Sequence, residues 1–185
     1  TVLLLVSTQP ARLPATIRSR CQTVRIEVPA QEIALDWLKG QYAGPQSEVY
    51  LRLANGAPLR ALELAQGNTL EERQDHFKQL LGIYRGQQDP LSVAAKWARD
   101  DDLKGIRWMR EWLMDLLRIR LTGQVQGIHS SDLLDGLQSL AQQLDSRIMF
   151  RQLDRINRTL KLANSSLNRQ LMTEDVLLAW ADRTS

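Results

Sequence analysis

Apolar residues fall along this chain in three rhythms. Val2-Leu3-Leu4-Leu5-Val6 is an unbroken apolar run. Such a run reads as a parallel-sheet strand buried on both faces. The competing reading, a piece of buried helix, is disfavoured by Pro10 and Pro14 close behind it. Thr23-Val24-Arg25-Ile26-Glu27-Val28 alternates with period two and reads as a short strand or extended linker, ended by Pro29. Between the two, Ser7, Thr8, Gln9, Pro10 and Ala11 make a turn, and a short helix follows with Arg18 and Arg20 at its far end. Pro14 opens that helix, because its fixed φ and missing N–H suit a first helical position.

From Ala30 the rhythm is helical. Ile33, Trp37 and Leu38 share one face of a helix closed by Gly40 and Gly44-Pro45. A second helix is predicted over 46–54 and a third over 59–65, closed by Gly67. Three short helices in succession make a small bundle, with the best domain boundary at Gly67-Asn68-Thr69. Thr69 is read as the cap of a longer helix striped by Phe77, Leu80, Leu81 and Tyr84 and ended at Gly86. A helix over 92–99 carries Val93 and Trp97. The next, over 103–121, has a stripe of Ile106, Met109, Leu113, Leu116 and Leu117, with Trp108, Trp112 and Ile119 adjoining. Two apolar faces predict a central helix packed on more than one neighbour. Helices over 132–144, capped by Ser131, and 147–163, capped by Asp145 or Ser146, follow. After a loop at 164–168, Thr173 is read as the cap of a last helix holding Val176, Leu177 and Trp180. The expected class is therefore mainly α.

Composition narrows the function. The chain has 43% apolar and 24% charged residues, ordinary for a globular protein. Its 24 Lys and Arg against 21 Asp and Glu leave a net charge of only +3. No basic block or stripe stands out along the sequence, so direct DNA binding is expected to be weak. One Cys and two His argue against a disulfide framework and a closed zinc site, which fits a reducing cytoplasm. No run of 18 apolar residues exists to span a membrane, and 2–6 lacks the basic leader and length of a signal peptide. Because the chain starts at Thr1, the strand at 2–6 is expected to lack its sheet neighbours, and to be disordered or to pair with another chain as an open edge.

Catalytic motifs are sparse. A P-loop needs Lys followed by Ser or Thr. None of Lys39, Lys78, Lys96, Lys104 or Lys161 is so followed, and neither a cofactor nor a metal is expected. His76 and His129 are read as surface residues, Asp100-Asp101-Asp102 as a solvated helix start, and Trp97, Trp108, Trp112 and Trp180 as core. The positive signal is Ser19-Arg20-Cys21. An arginine at the end of a short helix can reach a neighbouring subunit and stabilise charge on a transferring phosphoryl group. On spacing alone, a surface salt-bridge arginine is the preferred reading, and Cys21 is read as a small buried residue.

The segment from Ser7 to Gln22, Ser-Thr-Gln-Pro-Ala-Arg-Leu-Pro-Ala-Thr-Ile-Arg-Ser-Arg-Cys-Gln, closely resembles the sensor 1 and Ser-Arg-Cys segment of the bacterial clamp-loader AAA+ family. The resemblance implies that Arg20 is a trans-acting arginine finger with Ser19 and Cys21 as motif neighbours. It also implies that Ser7 and Thr8 lie at or beside sensor 1. It divides the chain into the end of an AAA+ α/β domain with its remnant strand and helix (1–28), a three-helix lid (29–67) and a helical collar that holds a pentamer together (68–185). The ending Asn168-Arg169-Gln170-Leu171-Met172-Thr173-Glu174-Asp175-Val176-Leu177-Leu178 also looks like the close of a collar. ATP-binding members carry Gly-Ser-x-Arg at the start of the third lid helix. Here the place reads Gly56-Ala57-Pro58-Leu59, and Arg60 is turned by about 100° from the required direction. The similarity is thus to the member that gives a finger to its neighbour without itself hydrolysing ATP, as part of a replicative DNA polymerase assembly. Implied partners are ATP-binding (gamma/tau type) and delta subunits through the collar, and the two apolar faces of the helix over 103–121 make Trp108 or Trp112 the expected collar contact. The sliding clamp and primed DNA are met through the whole assembly. A fragment of an ATP-hydrolysing subunit and an unrelated helical interaction module are the alternatives. In each, the isolated chain is expected to be catalytically silent.

Overall fold

The computed structural model describes residues 2–7, 9–163 and 167–182, with the side chain of Asp101 left aside. Its described residues form ten α-helices and three 3-10 turns, with no strand. After a 3-10 turn at Pro10–Arg12 come α1 (Ala15–Arg18), α2 (Gln31–Gln41), α3 (Ser47–Leu53) and α4 (Pro58–Gln66). The chain continues as α5 (Thr69–Tyr84), α6 (Pro90–Trp97), α7 (Lys104–Thr122), α8 (Leu134–Gln143), α9 (Ser146–Lys161) and α10 (Arg169–Ala181). The protein is mainly α.

The two expected strands do not form. Residues 2–6 and 23–28 join no ladder, and Val6 and Ile26 are 97% and 96% exposed. A strand's hydrogen bonds must come from a neighbour, so an apolar run alone specifies a strand only where a sheet is at hand.

Two apolar clusters hold the helices. In the first, α2, α3 and α4 meet through Ala34, Leu38, Tyr50, Leu51 and Ala61, and Leu70 from the start of α5 joins them. Small Ala34 and Ala61 let these helices approach closely, and Tyr42 meets Tyr50 edge to face at 5.5 Å. The second cluster is built around α7, whose Ile106, Met109, Trp112, Leu113 and Leu116 are fully buried. α7 packs on both α8 and α9, as its two apolar faces require, while α10 lies against α6. Trp97, Trp108, Trp112 and Trp180 are all core. This corrects the assignment of Trp108 or Trp112 to a subunit contact, since at 9% and 0% exposure neither offers a neighbour much surface.

The caps explain several boundaries. Asp89 caps α6, Asp145 caps α9, and Asn168 caps α10 by accepting from the amides of Gln170 and Leu171. Thr173 therefore lies inside α10, buried, with its hydroxyl donating to the Arg169 carbonyl at 2.8 Å. Thr69 is the first residue of α5 and makes no cap, and Ser131 opens a 3-10 turn, Ser131–Leu133, before α8. α7 starts after two left-handed residues, Asp102 and Leu103, with φ of 53° and 52°.

Candidate functional site

The segment singled out by its motif is built on very little chain. Pro14 supplies the carbonyl that accepts from the amides of Ile17 and Arg18, closing the single turn of α1. Pro14 thus stands at the cap of α1 and not at its first helical position. The turn tightens at its end: the Ser19 amide bonds back to Ala15, Arg20 to Ile17, and the Ser19 hydroxyl donates to the Thr16 carbonyl at 3.3 Å. Arg20 leaves this turn exposed, and its guanidinium has no hydrogen bond or ion pair among the described residues. Such a group surrenders no internal partner when it meets an anion, and its planar fork presents several donors at once. Cys21 is exposed and free, which corrects its reading as a buried residue. The Ser7 hydroxyl accepts from the Gln9 amide at 3.1 Å, shaping the turn before α1. Thr8 lies outside the described residues.

At the start of α4, Leu59 is 69% exposed and the Arg60 guanidinium pairs with Glu63 at 2.8 Å on the same helix. Neither presents a free cation at that position. Among the described residues no group of three His, Cys, Asp or Glu side chains could hold a metal.

A second polar assembly lies in the larger cluster, and the motif reading missed it. Arg73 is 1% exposed. Its guanidinium donates to Asp132 at 3.4 Å, Glu111 at 3.2 Å and the Ser130 hydroxyl at 3.0 Å, and lies 5.5 and 5.7 Å from the rings of Trp108 and Trp112. Asp115, also buried, accepts from the amides of His129 and Ser130 and so ties the loop after α7 to its own helix. Burial pushes the Glu111 carboxyl up from the ordinary range, with the Arg73 charge opposing that shift. The signal was present, since Arg73 sits at a core position in the stripe of Leu70, Phe77 and Leu80. His76 is likewise not a surface residue. Its ring lies between Trp97 and Trp108, with Nε2 2.8 Å from Asp100 and Nδ1 2.8 Å from the Glu72 carbonyl. Asp100 is thereby engaged in an interior contact and does not simply solvate a helix start. Most of these groups satisfy one another, while Asp132 Oδ1 and the Trp112 indole Nε1 are buried with no hydrogen-bond partner among the described residues.

The family model described as DNA polymerase III, delta subunit, C terminal, matches residues 67–182. The chain belongs to that family. Three relatives named DNA polymerase III subunit delta' extend the picture. The protein of Haemophilus influenzae is 35% identical over 65% of this chain and 37% of its own length. That of Pseudomonas aeruginosa is 28% identical over 98% of this chain and 57% of its own. That of Yersinia pestis is 30% identical over 97% and 55%. This chain therefore spans between 37% and 57% of the length of these three relatives. The similarity to delta' subunits runs through both clusters and the Arg20 segment, and it sets aside the alternative of an unrelated helical module.

Proposed function

We propose that this chain acts in bacterial DNA replication as the C-terminal part of a clamp-loader delta' subunit, in the cytoplasm. It lends Arg20 to the ATPase site of a neighbouring subunit. The similarity to a delta' subunit over 98% of the chain carries this reading, because it includes the segment that bears Arg20. In this reading residues 29–67 are the lid and 68–185 the collar. The collar meets ATP-binding gamma/tau-type and delta subunits, and the assembled pentamer meets the sliding clamp and primed DNA.

The chemistry asked of Arg20 is modest and specific. As the γ-phosphoryl group leaves, charge spreads over its oxygens, and a guanidinium fixed nearby stabilises that charge more in the transition state than in the ground state. The Ser19 hydroxyl, tied to the Thr16 carbonyl, holds the end of α1 in shape behind the arginine. With Leu59 where ATP-binding members carry their arginine, this chain contributes to hydrolysis next door and not to hydrolysis of its own nucleotide.

The test is a loader reconstituted with its ATP-binding subunits. Arg20→Ala should slow hydrolysis at the neighbouring ATPase site by roughly 10³ if this finger matches others in strength, while the complex still elutes intact from size exclusion. Arg20→Lys should restore little, since a point charge cannot reproduce the fork. Unchanged turnover in an intact complex would overturn the assignment.

A further inference from the structure

The cations that look scattered in the sequence are gathered by the fold. On α9 the solvent side carries Arg147, Arg151, Arg155, Arg158 and Lys161 against a single carboxylate, Asp154. Helical geometry sets Arg147, Arg151 and Arg158 within about 40° of one another, along a line about 16 Å long. α7 runs alongside and adds two more. Arg107, Arg110, Glu111, Asn157, Leu160 and Lys161 line a groove of about 560 Å³ between the two helices.

Most of these charges are available. The side chains of Arg147, Arg151 and Lys161 have no hydrogen bond or ion pair among the described residues, and Arg158 Nε donates only to the Asp154 carbonyl on its own helix. Arg110 donates to the neutral Asn157 side chain at 2.8 Å. Arg155 and Arg107 are paired with Asp175 and Asp102. Glu111, the acid in the groove, is turned to Arg73. One exposed apolar group flanks the stripe: Phe150, 49% exposed, lies about 60° around α9 from Arg147, on the side of Asn157 and the groove.

We propose that the joined faces of α7 and α9 bind single-stranded nucleic acid, with the arginine line following phosphates and Phe150 offering a ring for a base to stack upon. Charge complementarity selects a polyanion. The exposed ring beside the basic stripe favours a nucleic acid over an acidic polypeptide, because every base has a π-face and a glutamate has none. The surface is separate from the Arg20 segment and is tested without any ATPase subunit, so its failure leaves the finger assignment untouched.

The experiment uses the whole 185-residue chain. Anisotropy of a fluorescent oligo-dT strand should show saturable binding at low salt that weakens steeply as salt is added. Arg151→Glu with Arg158→Glu should weaken it at least tenfold. The double substitution should also flatten the dependence of log K on log salt by about 0.7 for each phosphate that is no longer neutralised. Phe150→Ala should weaken the single strand about tenfold while leaving duplex DNA of equal length unaffected. Far-UV circular dichroism checks that these surface variants stay folded. Absence of binding by the unsubstituted chain would overturn the proposal. So would equal or tighter binding of poly-glutamate, which would assign the face to an acidic protein, or an oligo-dT affinity indifferent to Phe150→Ala.

Discussion

Arg73 illustrates how much a single buried charge can hold in place. Its guanidinium is taken entirely from water and matched by two carboxylates, one hydroxyl and two indole faces. Arg73→Ala leaves Asp132 and Glu111 uncompensated and should cost about 3–5 kcal/mol, read from urea denaturation. Arg73→Lys should recover little of that, because one ammonium cannot serve acceptors set around a planar fork. Glu111 carries a pH signature of its own. Burial raises its carboxyl in the native state above the unfolded value of about 4.3. Between those two values the native state binds more protons than the unfolded one, so stability falls as pH rises through that window. Acidifying from neutrality should therefore stabilise the protein first, and Glu111→Gln should remove that slope from a series of urea midpoints. Asp89 acts in the opposite sense at the acid end, where its carboxyl is lowered by the Ser92 hydroxyl and amide. The α6 cap that it forms is lost only as pH falls through that lowered value. At this scale the sequence was half legible. The stripe position of Arg73 could be read, but its carboxylate partners lie 38 and 59 residues away and no local pattern names them.

Helices were legible to within a few residues and strands were not, for one physical reason. A helix closes its hydrogen bonds within itself, so the 3.6-residue rhythm of α5, α7 and α9 is sufficient local information. A strand at 2–6 or 23–28 needs a partner that no local pattern can supply. Of the two candidates for the α9 cap, Asp145 and Ser146, the structure takes Asp145, whereas Thr173 was misread as the α10 cap because the helix starts a turn earlier, behind Asn168. Helix packing adds a test of close approach. A Cβ on Gly105, at the start of α7, would lie 2.7 Å from Trp97 Cε3 and 2.9 Å from His76 Cδ2. Gly105→Ala should therefore destabilise by about 1–3 kcal/mol, despite alanine's better helix propensity. At Gly40 in α2 a Cβ would meet nothing within 4 Å, and Gly40→Ala should stabilise by about 0.5–1 kcal/mol. The two substitutions are the same chemistry, so opposite shifts in urea midpoint would isolate the packing effect.

Over the whole molecule, stability is distributed unevenly. The clusters of α2–α4 and α5–α10 contain the buried apolar residues, and Arg52 Nη1 bridges them by donating to the Ile128 carbonyl at 3.2 Å. By contrast, the turn at Pro10–Arg12 and α1 bury no residue at all. A protease needs local unfolding to reach a bond inside a packed helix, and needs almost none here. Trypsin should therefore cut first after Arg12, Arg18, Arg20 and Arg25, leaving a product that begins at Ile26 and keeps the helical signal of the intact chain. Mass spectrometry of an early time course reads this directly, and first cuts within α5 to α10 would contradict it. The same assay bears on the proposed finger. If Arg20 is seated against a neighbouring nucleotide in the assembled loader, the cut after it should slow when ATP-binding subunits and nucleotide are added. Cleavage at the solvent-facing arginines of α9 should not follow that nucleotide dependence. A uniform slowing at every arginine would point to bulk shielding and not to Arg20 engaging a nucleotide.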